Sequence, residues 1–215
     1  MMNNLFSVFD PCTGFLSMNW ISTFIFLMMT PYKLWLNQNK LSLMLTNIIN
    51  VLNKEMFMLM KYKGTNMIMI SIFMLIMWNN LMGLVPYIFT SSSQLTFSLT
   101  MALPMWMGLM IYGWTKKTNS MFTHLVPTGT PGILMPFMVM IETISNIIRP
   151  GSLAVRLTAN MIAGHLLMSL LGSNGPKMMI MTMIIFIGLM VFEMAVAMIQ
   201  AYVLMTLTTL YSSEI

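Results

Sequence analysis

The sequence predicts an all-α multispanning membrane protein with transmembrane helices, one interfacial amphipathic helix and a long, strongly tilted C-terminal helical hairpin. Three observations carry this expectation. Of 215 residues, 58% are hydrophobic and 7% charged, against roughly 25% charged in a soluble domain. Mean hydropathy is +0.81. The apolar residues gather into runs of membrane-spanning length, and too few charges remain to wet a globular surface. A single Cys, Cys12, excludes a disulfide scaffold and a thiolate-rich metal site. No metal and no cofactor are expected, and residues 1–215 read as one membrane domain.

The first span is expected over residues 15–31, which with its flanks approaches one crossing of a roughly 30 Å hydrocarbon layer. The first 32 residues hold no Lys or Arg and one acid, Asp10, so neither a secretory signal nor an Arg-rich presequence is read there. Residues 41–60 differ in kind: Leu41, Leu45, Ile48, Leu52, Met56 and Leu59 recur at helical spacing with Asn47, Asn50 and Lys54 between them. That pattern fits a helix lying on the membrane surface, with a solvent loop as the plainer alternative. Spans follow at 67–89 and 95–114. Asn79 and Asn80 in the former need hydrogen-bond partners, and Pro104 in the latter suggests a kink rather than a stop. PTGTPG at residues 127–132 reads as a turn, because the ending of a nucleotide-binding loop is absent.

The rest forms two long apolar pieces, 133–171 and 178–210. At 1.5 Å per residue they would reach about 58 and 50 Å, too long to stand upright in a 30 Å core. Pro150 and Gly151 could divide the first, but the second has no Pro, so a steeply inclined hairpin is expected. Lys33, Lys40, Lys54, Lys61, Lys63, Lys116 and Lys117 fall on one side if the N-terminus lies outside, with Lys177 alone in an outer connection. That asymmetry accounts for most of the +5 net charge without nucleic acid. Met is 32 of 215 residues, which no membrane mechanism requires. It reads as the coding bias of an organelle genome.

Glu142, Arg149, Arg156, His165 and Glu193 lie inside the two long apolar pieces. Embedded ionisable groups cost several kcal/mol on most insertion scales, so they mark a path or relay by default, with internal salt bridges as the plainer reading. Glu142, Asn146, Arg149, Leu153, Arg156 and Asn160 fall within about 80° on a helix if Pro150 leaves the phase intact, and His165 falls opposite Arg156. Glu193 and Gln200 share a face with Ala197 between them. Arg156 stays charged and offers a rigid fork of donors, so it suits a fixed positive charge and not a proton carrier. Glu142, Glu193 and His165 can take and release protons. The spacing alone indicates a proton or ion path with a fixed barrier charge and does not say what moves.

LAVRLTANMIAGHLL at residues 153–167 resembles the signature of the a subunit of rotary ATP synthases, called subunit 6 in mitochondria. NNLMGLVPY at 79–87, PTGTPG, ETISNIIRP at 142–150 and FEMAVAMIQAYV at 192–203 are similar to the same family in the same order. The resemblance implies a proton-translocating stator subunit of the membrane sector, with two offset half-channels beside a ring of c subunits that each carry a buried carboxylate. Further partners would be other stator subunits and membrane lipid. Arg156 matches the family's essential Arg and Asn160 the polar residue beside it. His165 and Glu193 match the outer access path, Gln200 a ring-facing glutamine, and Glu142 an acid of the path toward the matrix.

Arg149 departs from the family pattern and is expected to be auxiliary. The chain would be a non-catalytic proton-channel subunit, with nucleotide chemistry on other subunits. It would lie in the mitochondrial inner membrane, N-terminus on the intermembrane side and C-terminus in the matrix. The alternative is a membrane subunit of another proton-coupled transporter or respiratory complex. That reading predicts inverted repeats or paired helix breaks, and neither is evident.

Overall fold

A computed structural model describes residues 5–12, 17–31, 37, 39–59, 63–126, 129, 131–173 and 179–214. Every regular element among them is helical. Short 3-10 turns at Leu5–Phe9 and Met18–Phe24 lead into α1 (Ile25–Met29). The sequence-predicted first span is therefore a short apolar helix over Met18–Met28 in its described part. The segment expected to be a surface helix forms α2 (Lys40–Leu59), which packs on its neighbours through Leu52 and Met56 and exposes Leu41, Met44 and Met58.

α3 (Lys63–Gly83) starts and ends earlier than the apolar run suggested. Its buried positions Asn66, the pair Met69 and Ile70, Phe73, Ile76 and the pair Asn79 and Asn80 follow the helical repeat, so one inward stripe carries an apolar centre and amides at each end. A turn and a 3-10 segment, Ser91–Ser93, connect it to α4 (Leu95–Lys116). α4 continues through Pro104, so the proline does not stop the helix, as expected. The short α5 (Thr118–Leu125), packed on α4 and α6, has no counterpart in the sequence reading. In the PTGTPG stretch, Gly129 has φ of 101°, a left-handed conformation that glycine adopts without steric cost. Pro127, Thr128 and Thr130 lie outside the described residues.

The two long helices are α6 (Met135–Gly172) and α7 (Met179–Glu214), of 38 and 36 residues. At 1.5 Å per residue they are about 57 and 54 Å long. α6 is continuous through the buried Pro150, so the division that Pro150 and Gly151 allowed does not occur. The two run antiparallel, as two pairings show: Gly164 meets Glu193, while Arg149 meets Tyr211. Lys177, in the connection between them, lies outside the described residues.

The main core joins four helices through Leu52 and Met56 of α2, the α3 stripe, Leu153 and Leu157 of α6, and Ala201, Leu204 and Met205 of α7. Fully buried alanines, Ala154, Ala197 and Ala201, let α6 and α7 approach closely, the usual route to helix association where no hydrophobic force acts between helices. Four helices are long and apolar enough to cross a membrane: residues 64–83, 95–116, 132–172 and 180–213. The chain is a multispanning all-α membrane protein.

Candidate functional site

α6 carries two opposed faces. Leu153, Leu157, Met161, Gly164 and Met168 are buried in the bundle. Ser152, Val155, Arg156, Ala159, Asn160 and Ala163 are exposed along the other side. Apart from Arg156 and Asn160 these outward residues are small, so a polar stripe stands open on a shallow surface. Among the described residues no carboxylate lies within ion-pair distance of Arg156. The arc of polar positions anticipated from Glu142 to Asn160 thus crosses the burial boundary: Leu153 turns inward while Arg156 and Asn160 turn out.

Toward the start of α6, Arg149 Nη2 donates to Glu142 Oε1 at 3.5 Å, a pairing two turns long whose side chains are 28% and 37% exposed. The Arg149 guanidinium also sits 4.8 Å from the centre of the Tyr211 ring on α7. Arg149 is therefore held by an acid on its own helix and an aromatic face on the next, which orients both charges. Along the axis Glu142 lies about 21 Å from Arg156.

Toward the other end, about 13 Å beyond Arg156 along the axis, come Gly164 and His165. Glu193 of α7 is buried, and its carboxyl group rests against Gly164, where an added β-carbon would overlap it. The absent side chain at 164 is what allows a carboxylate between two tightly packed helices. His165 Nε2 is buried without a hydrogen-bond partner, and the ring meets Phe9 edge-on with centroids 6.2 Å apart. No hydrogen bond joins His165 directly to Glu193, although adjacent positions on α6 hold both.

A polar cluster that the sequence reading largely missed closes this end. Asn79, Asn80, Thr90, Ser91, Ser92, Ser93 and Ser98 are all buried. Thr90 Oγ1 donates to Ser93 Oγ at 3.0 Å, and Ser93 Oγ donates to the Thr90 carbonyl at 2.6 Å. Gln94 Nε2 donates to the Phe9 carbonyl at 2.7 Å, which fastens the N-terminal turn beside His165. Both polar atoms of the Asn80 amide and Oγ of Ser92 are buried without a protein partner. Asn79 and Asn80 were legible as amides in an apolar run, whereas three serines in a connection look the same whether buried or wet.

Gln200 was expected to face outward. It is buried at 6% exposure, and neither end of its amide has a protein partner. Seven residues separate it from Glu193, so the helical repeat keeps both on the inward line that contains Ala197. Across the chain, the structure brings Glu193 to Gly164, next in sequence to His165, and Glu142 to Arg149, and leaves Arg156 with Asn160 on the open face. Among the described residues no group of three or more His, Cys, Asp or Glu could hold a metal.

Comparison with known proteins meets this geometry. The sequence model of the ATP synthase A chain family matches residues 13–213. Proteins named ATP synthase subunit a are 57% identical in Drosophila melanogaster and in Drosophila simulans, over the full length of both chains in each comparison. That of Anopheles quadrimaculatus is 55% identical over the same full coverage. An unpaired arginine on the open face of a membrane helix, set between two acid stations, accordingly sits in a chain that belongs to the ATP synthase A chain family.

Proposed function

We propose that this chain is the proton-translocating stator subunit of the ATP synthase membrane sector, forming two offset half-channels against a ring of c subunits that each carry a membrane-buried carboxylate. The observation that carries the reading is the placement of Arg156. It stands exposed and unpaired among small residues, with Glu142 about 21 Å to one side and the Gly164–Glu193 contact about 12 Å to the other. A surface that holds a bare guanidinium in an apolar helix lacks its counter-ion among the described residues, and a ring carboxylate supplies one.

In this reading a proton from the outer side passes the polar cluster around Asn80, Ser92, His165 and Glu193. The buried, partnerless polar atoms there are groups that water can satisfy. The proton then neutralises a ring carboxylate. Neutralisation permits movement into lipid, because the ionised form is far more costly there. After nearly a turn the site meets the inner path at Glu142 and releases its proton, and Arg156, with Asn160 beside it, stabilises the anion. The permanent charge of Arg156 blocks direct passage between the half-channels. Gln200, on the line of Glu193, supplies a buried amide between the access path and the ring, and Arg149 positions Glu142. About 2.3 kcal/mol per charge per 100 mV biases the steps. The subunit makes and breaks no covalent bond beyond proton transfers, and nucleotide chemistry belongs to other subunits. Its place is the mitochondrial inner membrane, with the N-terminus on the intermembrane side and the C-terminus in the matrix.

The deciding experiment measures proton flux and ATP synthesis together in reconstituted complexes. Arg156→Ala should reduce coupled synthesis to background and permit passive proton flux. Normal coupling in an assembled Arg156→Ala complex overturns the barrier role. A disulfide between a cysteine at Asn160 and one beside the ring carboxylate should form in the intact complex, and its absence at every rotor position counts against the interface.

A further inference from the structure

The end of the bundle at which α2, α3, α4 and α7 meet holds a cavity of about 630 Å³ that the proton path does not use. That volume is in the range of roughly 300–1,000 Å³ typical of small-molecule sites. Along α4 its lining runs from the apolar Pro104, Met105 and Leu109 to Lys117, and Ser213 of α7 also lines it. Gly108 lines it and has open space where a β-carbon would stand. A lining that passes from apolar residues to a lysine along one helix matches a molecule that is itself apolar at one end and anionic at the other.

Length and width narrow the choice. From Pro104 to Lys117 is about 20 Å along a helix axis, close to one leaflet of a hydrocarbon core about 30 Å thick together with its headgroup boundary. A hydrocarbon chain, one methylene wide, fits. Charge points the same way. Lys116 is exposed beside Lys117, and α3 begins at Lys63, next to Gly64 and Thr65 of the cavity wall. The ends of α3 and α4 at this cavity thus carry Lys63, Lys116 and Lys117 in the sequence. Among the described residues no carboxylate lies within ion-pair distance of Lys117.

We propose that this cavity is a binding site for an anionic phospholipid, with one acyl chain lying along Gly108 and Leu109 toward Pro104 and the phosphate at Lys117. The site shares no residue with the proton path, so it stands or falls apart from the proposed function. The test uses the whole purified synthase in phosphatidylcholine nanodiscs doped with a photoreactive probe, either phosphatidylglycerol or phosphatidylcholine, bearing a diazirine near the middle of one acyl chain. Residues 105–109 should be labelled by the phosphatidylglycerol probe at least fivefold more than by the phosphatidylcholine probe. Gly108→Leu, which fills the cavity, should remove the label. Lys117→Gln should lower phosphatidylglycerol labelling about fivefold, the effect of one basic residue near a membrane surface. Equal labelling by the two headgroups overturns the proposal, as does the absence of label because a protein neighbour occupies residues 105–109. Should Gly108→Leu prevent assembly, the headgroup comparison in Lys117→Gln still decides.

Discussion

A β-carbon at position 164 would occupy the space of the Glu193 carboxyl group, and that single contact makes the residue scale testable. Gly164→Ala has to push the carboxylate out of line or force α6 from α7. With the carboxylate displaced, proton-driven synthesis in assembled complexes should fall by on the order of tenfold or more, since small misplacements of a reacting group have large rate costs. Unchanged synthesis would show that the position of Glu193 does not matter. Glu193→Gln keeps the shape and removes the exchangeable proton, so flux should drop much further than assembly; near-normal flux would count against the relay. Both residues teach something about reading a sequence. Glu193 stood out as an acid in an apolar run, as did Arg156 and His165, because charges in hydrocarbon are rare. Gly164 did not, since a glycine in a helix gains its meaning from a partner 29 positions away that only packing reveals. Gln200 was legible as a member of the Glu193 line, but spacing alone does not say whether such a line faces in or out.

Elements were legible in proportion to their length. The two long apolar pieces reappear as α6 and α7 within a few residues, because no other arrangement satisfies so many backbone groups in lipid. α5, with eight residues of mixed polarity, is too short for its periodicity to mark a helix. The segment at Ser91–Ser93 has a polar sequence, as a solvated connection would, yet it is buried under α3, α4 and α6. α2 shows which contacts hold an amphipathic helix to a bundle. Met56 is almost fully buried in the main core, whereas Tyr202 Oη reaches Glu55 Oε2 at a long 3.4 Å on an exposed surface. Met56→Ala should therefore destabilise docking of α2 by about 2 kcal/mol or more, and Tyr202→Phe by about 1 kcal/mol or less. Protease cleavage between α2 and α3 in the assembled complex provides the readout, and a larger effect from Tyr202→Phe would reverse the ranking.

At the scale of the molecule, the charge distribution fixes an expected topology. Cys12, the single cysteine of the chain, is exposed, and its segment lies with the Ser91–Ser93 turn at the end opposite Lys116 and Lys117. A membrane-impermeant maleimide should label Cys12 from the intermembrane side of intact organelles. In a Cys12→Ser background, Lys116→Cys should react only after the membrane is opened. Labelling of both from one side would invert or remove the proposed orientation.

The bare guanidinium on α6 also bears on a moment before any proton moves. A newly made copy that enters the bilayer alone exposes Arg156 to hydrocarbon, at a cost of about 2.5–3.5 kcal/mol on insertion scales and more in an isolated helix. On the proposed function, a ring carboxylate relieves that penalty, and an orphan copy goes without it. The side chain that would stop a leak in the finished machine also discourages the chain from persisting without it, so biogenesis and turnover answer to one atom group.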